Sequence, residues 1–203
     1  MKKKYCLVLI ILFTACQKGI EPFNDNTGSS GTSPVSGTWN FISLTGNTQA
    51  IQEFTDDSID YSTTTNSAYT STNNTGTITF SDSDFTSNNI GYLVSSEFTS
   101  YNYENGVLID TVHLPFSITI DSSNAAGTYK LIGSDSIYFP SGSFISVSGS
   151  APTQSEPGGG KISISGNTLT ITQLLNKDTT EQISGLPYHL TETGTFDMLL
   201  QKQ

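Results

Sequence analysis

Asn105-Gly106 lies between two runs, residues 98–104 and 107–114, that mix aromatic, β-branched and polar side chains. Such a pair reverses the chain in two residues, because both positions accept the positive φ of a type I′ turn. Pairing Glu104 with Val107 would set the register. Tyr101, Tyr103, Leu108, Val112 and Leu114 then share one face, and Phe98, Val107, Ile109 and His113 share the other. Apolar groups sit on both faces, so the pattern alone does not name the inner one.

The same plan of strand, polar turn and strand recurs. Thr77-Ile78-Thr79-Phe80 leads through Ser81-Asp82-Ser83-Asp84 to Phe85. Residues 127–132 lead through a turn at 133–135 to Ile137-Tyr138-Phe139. Residues 161–165 and 168–173 flank Gly166-Asn167, with Ile162, Ile164, Leu169 and Ile171 as inward candidates. In the first run Trp39, Phe41 and Ser43 alternate with Asn40, Ile42 and Leu44. In the last run Phe196, Met198 and Leu200 alternate with Thr195, Asp197 and Leu199. The Thr-rich stretch 59–71 reads as a strand near an edge. Residues 116–120 read as a further strand after Pro115, and 176–189 as a loop. Residues 141–160, rich in Gly, Ser and Pro, read as a long loop with a short strand at Phe144-Ile145-Ser146-Val147.

Helix-forming residues are sparse, and short apolar runs alternate with turn signals, which is an all-β signature. Consecutive hairpins build an antiparallel meander, and a meander of about eight strands removes its exposed edges by closing on itself. The expected fold is therefore an all-β antiparallel meander, closed or nearly closed into a barrel. Residues 196–200 should then lie beside 39–44.

The first residues differ in texture. Lys2, Lys3 and Lys4 precede an apolar run from Tyr5 to Phe13, then Thr14, Ala15 and Cys16. A basic start, a short apolar core and small residues make a secretory signal, and the run falls short of the ~20 residues that cross a bilayer. Leu12-Phe13-Thr14-Ala15-Cys16 resembles the lipobox of bacterial lipoproteins, although Phe13 occupies the position where that pattern prefers Leu. The resemblance implies an acyl anchor, such as palmitate, on Cys16. The organisation expected is a signal over 1–15, a flexible tether over 16–35 and a β domain over 36–203. The tether composition, Asn, Thr, Gly, Ser and Pro, cannot repay its ordering entropy. By resemblance to bacterial sorting rules, the absence of Asp after Cys16 points to the outer membrane.

Composition bounds the chemistry. All eight basic residues are lysines, and after cleavage five face 18 Asp plus Glu, a formal charge of −13. Nucleic acid is not an expected partner, because its binding rests on neutralising phosphates. Once Cys6 leaves with the signal and Cys16 carries lipid, no thiol remains for a disulfide, a redox pair or a metal. His113 and His189 are the only histidines, and no Gly-x-Ser-x-Gly elbow occurs. No enzyme, cofactor or catalytic residue is expected. Asp56, Asp57 and Asp60, like Asp82 and Asp84, read as solvated turns, and no metal site is expected.

Gly37-Thr38-Trp39, a meander and a terminal apolar strand resemble the lipocalin-like lipoprotein domains of Bacteroidetes; Gly127-Thr128-Tyr129 and Gly166-Asn167-Thr168-Leu169-Thr170 add to the likeness. The resemblance spans roughly residues 36–203 and implies that Trp39 plugs one end of a barrel. The Arg that many lipocalin folds set beside this Trp has no counterpart here. It also implies a small apolar or amphipathic ligand inside, for which Trp39, Phe41, Tyr101, Tyr103, Tyr129 and Tyr138 are candidate contacts. The competing expectation is a surface glycan-binding or adhesion module that stacks exposed tyrosines on sugars. Asp57-Ser58-Ile59, Asp110-Thr111-Val112, Asp135-Ser136-Ile137 and Asp178-Thr179-Thr180 resemble Bacteroidetes O-glycosylation acceptors.

Overall fold

Asn105 and Gly106 adopt φ of 48° and 76°, the left-handed pair that a two-residue hairpin requires. The computed structural model, which describes residues 33–141, 157–183 and 186–203, contains ten strands among them. They are β1 (Gly37–Asp56), β2 (Ile59–Thr70), β3 (Thr72–Phe80), β4 (Asp84–Glu104), β5 (Val107–Thr128), β6 (Lys130–Ile132), β7 (Ser136–Phe139), β8 (Gly158–Ser165), β9 (Thr168–Ile183) and β10 (Leu186–Lys202). Every pairing is antiparallel.

β2 and β3 act as two halves of one bent strand. β1 pairs with β3 through Gly37–Asn40 and with β2 through Thr45–Asp56. β4 does the same on the other side, so these four strands form a small ring. From β1 the sheet runs through β10, β9, β8 and β7 to β6. Tyr129 alone separates β6 from β5, and β5 pairs back onto β4. The meander thus returns almost to its start, and β1 and β10 close it from Trp39↔Lys202 to Phe54↔Tyr188, as the sequence leads one to expect.

A seam of bulges crosses four neighbouring strands at one level. Ile42 is the extra residue in β1, between Phe41↔Leu200 and Ser43↔Leu199. Asn74 bridges from the β2–β3 break and donates through Nδ2 to the Ile42 carbonyl at 2.7 Å. Ser71 Oγ accepts from the Leu44 amide at 2.7 Å. In β4, Asn89 takes φ 53° and its amide donates to Asn124 Oδ1 of β5 at 2.7 Å. Bulges add local twist and bend a sheet, and here side-chain amides stand in for the interrupted ladder.

The bulges change which residues face inward, since a slip of one residue exchanges the two faces. Past Ile42 it is Leu44, not Ser43, that is buried with Trp39 and Phe41. In β5, Ile109 is the skipped residue, so Phe98 lies opposite Leu114 and His113 opposite Thr99, not Phe98. Phe98 then stacks on Phe116 with ring centroids 4.1 Å apart.

Three further expectations are corrected. The Thr-rich β2 is no edge: it lies between β1 and β4, and its hydroxyls bond across strands, as Thr63 to Asn102 and Thr65 with Ser100. Residues 176–189 are largely strand, because the β9–β10 hairpin continues beside the far half of β1 and its pairing overrides weak intrinsic propensity. Ile164, one of the four inward candidates of its hairpin, is 41% exposed, while Ile162, Leu169 and Ile171 are buried. Residues 116–120 are a strand as expected, but one continuous with 107–114. Pro115, which lacks an N–H, suits β5, which among the described residues is paired only with β4. The short strand expected at Phe144–Val147 lies outside the described residues.

The core is densest at the end carrying Trp39 and the 81–84 and 166–167 turns. Val35, Trp39, Ile78, Phe80, Phe139, Leu169, Met198 and Leu200 are all sealed from solvent there. Phe80 meets Tyr129 edge-on at 5.3 Å and Phe85 meets Phe139 at 5.4 Å; each such pair adds about 0.5–1.5 kcal/mol beyond its buried area.

Candidate functional site

Above this packed end the inner faces part. A small cavity lies among Thr48 of β1, Ser67 and Tyr69 of β2, Tyr92, Val94 and Phe98 of β4, Phe116, Ile118 and Ile120 of β5, and Phe196 of β10. Glycine makes room for one wall: Gly46 is the register partner of Tyr69, and a Cβ there would fall 2.4 Å from the phenol ring. A second, smaller space shares Thr48, Ser67 and Phe98 with it and adds Ala50, Leu175 and Glu192.

The walls are chiefly apolar, with a few polar groups at one end, the composition expected of a small-molecule site. Glu192 is 2% exposed and Ser67 5%. Ser67 Oγ is enclosed and finds no hydrogen-bond partner among the described residues. Leaving a buried hydroxyl unmatched costs about 1–3 kcal/mol. Lys177 of β9 is the register partner of Glu192.

Burial pushes the Tyr69 phenol up to about 12. Burial also raises Tyr92, and the neighbouring Tyr69 adds to that shift. A phenol whose folded-state value lies above its ordinary one of 10 supports the fold fully below pH 10, and that support is lost as pH rises through the folded value. An absorbance titration at 295 nm should therefore show Tyr69 and Tyr92 ionising together with loss of near-ultraviolet circular dichroism. The double variant Tyr69→Phe, Tyr92→Phe should retain structure to higher pH; an unchanged alkaline midpoint would contradict the assignment.

The six aromatic candidates named from sequence are dispersed, and none lines either space. Trp39 is 1% exposed and donates through Nε1 to the Val35 carbonyl at 2.8 Å. Phe41 is core, edge-on to Tyr92 at 5.6 Å. Tyr129 fastens the 81–84 turn: its amide donates to Ser83 O at 2.8 Å, and its hydroxyl donates to Ser81 O. Tyr138 is half-buried between the buried Ile137 and Phe139, on the opposite face. Tyr101 and Tyr103, both half-buried, occupy the face of β4 opposite Phe98.

The cavity residues that sequence reading missed left one usable signal. The alternation of Phe196, Met198 and Leu200, carried backward, meets Gly194, Glu192 and Leu190 at the same parity, which places an acid on the inner face. Ser67 gives no such signal in a chain so rich in serine.

Neither histidine lines these spaces. His113 Nδ1 sits 2.9 Å from Glu97 and 3.3 Å from Thr99 Oγ1 on the exposed surface. His189, expected in a loop, is a β10 strand residue with Nε2 2.7 Å from Asp178 and Nδ1 3.5 Å from Glu53. Those hydrogen bonds, Asp178 foremost, raise its pKa. Among the described residues no group of three or more His, Cys, Asp or Glu is placed to hold a metal, and no helix is long and apolar enough to cross a membrane. Lys202 stands over the Trp39 ring, Nζ 5.3 Å from the centroid, a cation–π contact worth roughly 0.5–1 kcal/mol where exposed.

The fold and site together define a class: a nearly closed antiparallel β meander, packed solid at one end and hollow, with apolar walls, beyond it. Compared with models of known protein families and with curated proteins, the chain matches none.

Proposed function

We propose that this chain is a lipid-anchored, non-enzymatic lipoprotein of the cell envelope with a lipocalin-like barrel, and that it binds a small apolar or amphipathic ligand inside its curled sheet. The observation that carries the reading is the cavity lined by Tyr69, Tyr92, Phe98, Phe116, Ile118 and Phe196 above a fully packed floor. Two features lend further support. Trp39 occupies the packed end, and Lys202 stands over its ring. The Leu12–Cys16 run supplies a lipobox, and the Ser- and Thr-rich segment after it supplies a spacer that holds the domain off an outer membrane.

Native mass spectrometry of the chain purified from its host tests both halves. The expected result is a thioether-linked lipid on Cys16 and a separable passenger of small mass, lost in the cavity-filling variant Ile118→Trp. An unmodified Cys16 thiol would overturn the anchor. A passenger retained by Ile118→Trp would overturn the site. Intact mass in the same experiment reads glycan additions of the kind the Asp-Ser/Thr acceptors at Ser58, Thr111, Ser136 and Thr179 would take, and a mass of lipid plus chain alone would end that idea.

A second reading, glycan binding or adhesion, draws on Tyr101 and Tyr103. They stand two residues apart on one face of β4, a spacing of ~7 Å, and are partly exposed. Loss of host-glycan binding in Tyr101→Ala, Tyr103→Ala, with the cavity empty, would favour it over the first.

A further inference from the structure

The polar end of the cavity bears on what kind of ligand belongs there. Ser67 pairs in register with Thr48 across β1 and β2, and both side chains line the cavity and the smaller space beside it. The two spaces therefore share a hydroxyl-bearing waist of wall. On one side lie the rings of Tyr69, Tyr92 and Phe116; on the other lie Ala50, Leu175 and Glu192. Ser67 Oγ is enclosed at this waist with its hydrogen-bonding capacity unused, which is uncommon for a buried side-chain oxygen.

We infer that the site takes an uncharged amphiphile whose hydroxyl-type head hydrogen-bonds to Ser67 Oγ while its hydrocarbon body fills the aromatic side, and that it rejects fatty-acid carboxylates. This inference rests on the reading of the cavity as a ligand site. A hydroxyl can both give and take a hydrogen bond, so it can satisfy Ser67 in either sense. A carboxylate at the same point would lose its hydration in an apolar enclosure. It would also approach a wall that carries Glu192, in a chain whose formal charge is −10 and which has no Arg to clamp an anion. A cationic head would suffer the same loss of hydration there, so the end of the site does not call for one either.

The test is an NMR titration of the full chain with 1-octanol and with octanoate, in wild type and in Ser67→Ala. Octanol is expected to shift the resonances of Val94, Ile118 and Ile120 and to bind at least tenfold more tightly than octanoate. Ser67→Ala should weaken octanol about fivefold or more, the loss of one hydrogen bond. Its own melting temperature should be unchanged or raised, because the hydroxyl it removes has no partner among the described residues. Octanoate binding as tightly as octanol at the same residues would overturn the choice of head group and leave the cavity reading standing. Octanol binding undiminished in Ser67→Ala would overturn the role of Ser67. Shifts from neither probe would overturn both the inference and the cavity reading.

Discussion

Trp39→Ala should lower the free energy of unfolding by about 3–5 kcal/mol, the range for emptying a buried large aromatic. The indole is 1% exposed, among Val35, Phe80, Ile78 and Leu200, which are equally sealed. Its Nε1–H satisfies the Val35 carbonyl, and its ring carries the Lys202 ammonium. Because whole domains are stable by only ~5–15 kcal/mol, the variant should unfold at much lower urea concentration. Trp39→Phe keeps most of the packing and gives up the N–H bond, so a loss of about 1–2 kcal/mol is expected. Equal urea midpoints for Trp39→Ala and wild type would contradict the placement of this residue as the plug of the packed end.

Gly76→Val should be comparably damaging for a different reason. Gly76 has φ +97°, a region that side chains rarely enter, and a Cβ there would stand 2.5 Å from the carbonyl oxygens of both Asn88 and Asn89. These oxygens belong to the backbone of β4, so relief requires the bulge seam itself to move. Backbone strain of about 1–3 kcal/mol adds to an overpacking cost of similar size. Urea unfolding should report a loss of about 3 kcal/mol or more. Hydrogen exchange should show lost protection at the Asn89 amide, which Asn124 accepts, before it is lost at β1 and β10. Gly106→Ala is the control: its φ is also positive, but nothing lies within 4 Å of the added carbon. Similar losses from both would mean that conformation alone, and not the crowding of the seam, sets the effect.

That seam also marks where reading the sequence stopped working. The two-residue turns declared themselves, since Asn105, Gly106 and Gly166 carry the positive φ their geometry needs. The pairing of residues 196–200 with 39–44 followed from meander logic and is seen. Face assignments failed wherever an extra residue entered. Nothing in the string Phe41-Ile42-Ser43-Leu44 announces that Ile42 is skipped; that depends on Asn74, some thirty positions away, reaching the Ile42 carbonyl. Residues 59–71 were legible as a strand but not as an inner one, and 176–189 read as a loop because its partners, not its own residues, make it a strand. The candidate ligand contacts were drawn from aromatic content, which does not tell core from cavity. Trp39, Phe41 and Tyr129 proved to be packing, whereas Tyr69 and Tyr92 line the hollow.

The seam between β1 and β10 has a kinetic consequence. Asn40 and Gln203, hydrogen-bonded at 2.9 Å, are 163 residues apart. Closing so long a loop must precede the contacts that reward it, which places such domains among slow folders. Until β10 arrives, one side of β1 remains an open template for strands of other chains. A nascent copy emerging into a crowded compartment is therefore most vulnerable to aggregation in the interval before that closure, and an escort that shields β1 during the wait would raise the yield of folded protein without adding a single contact to the finished fold.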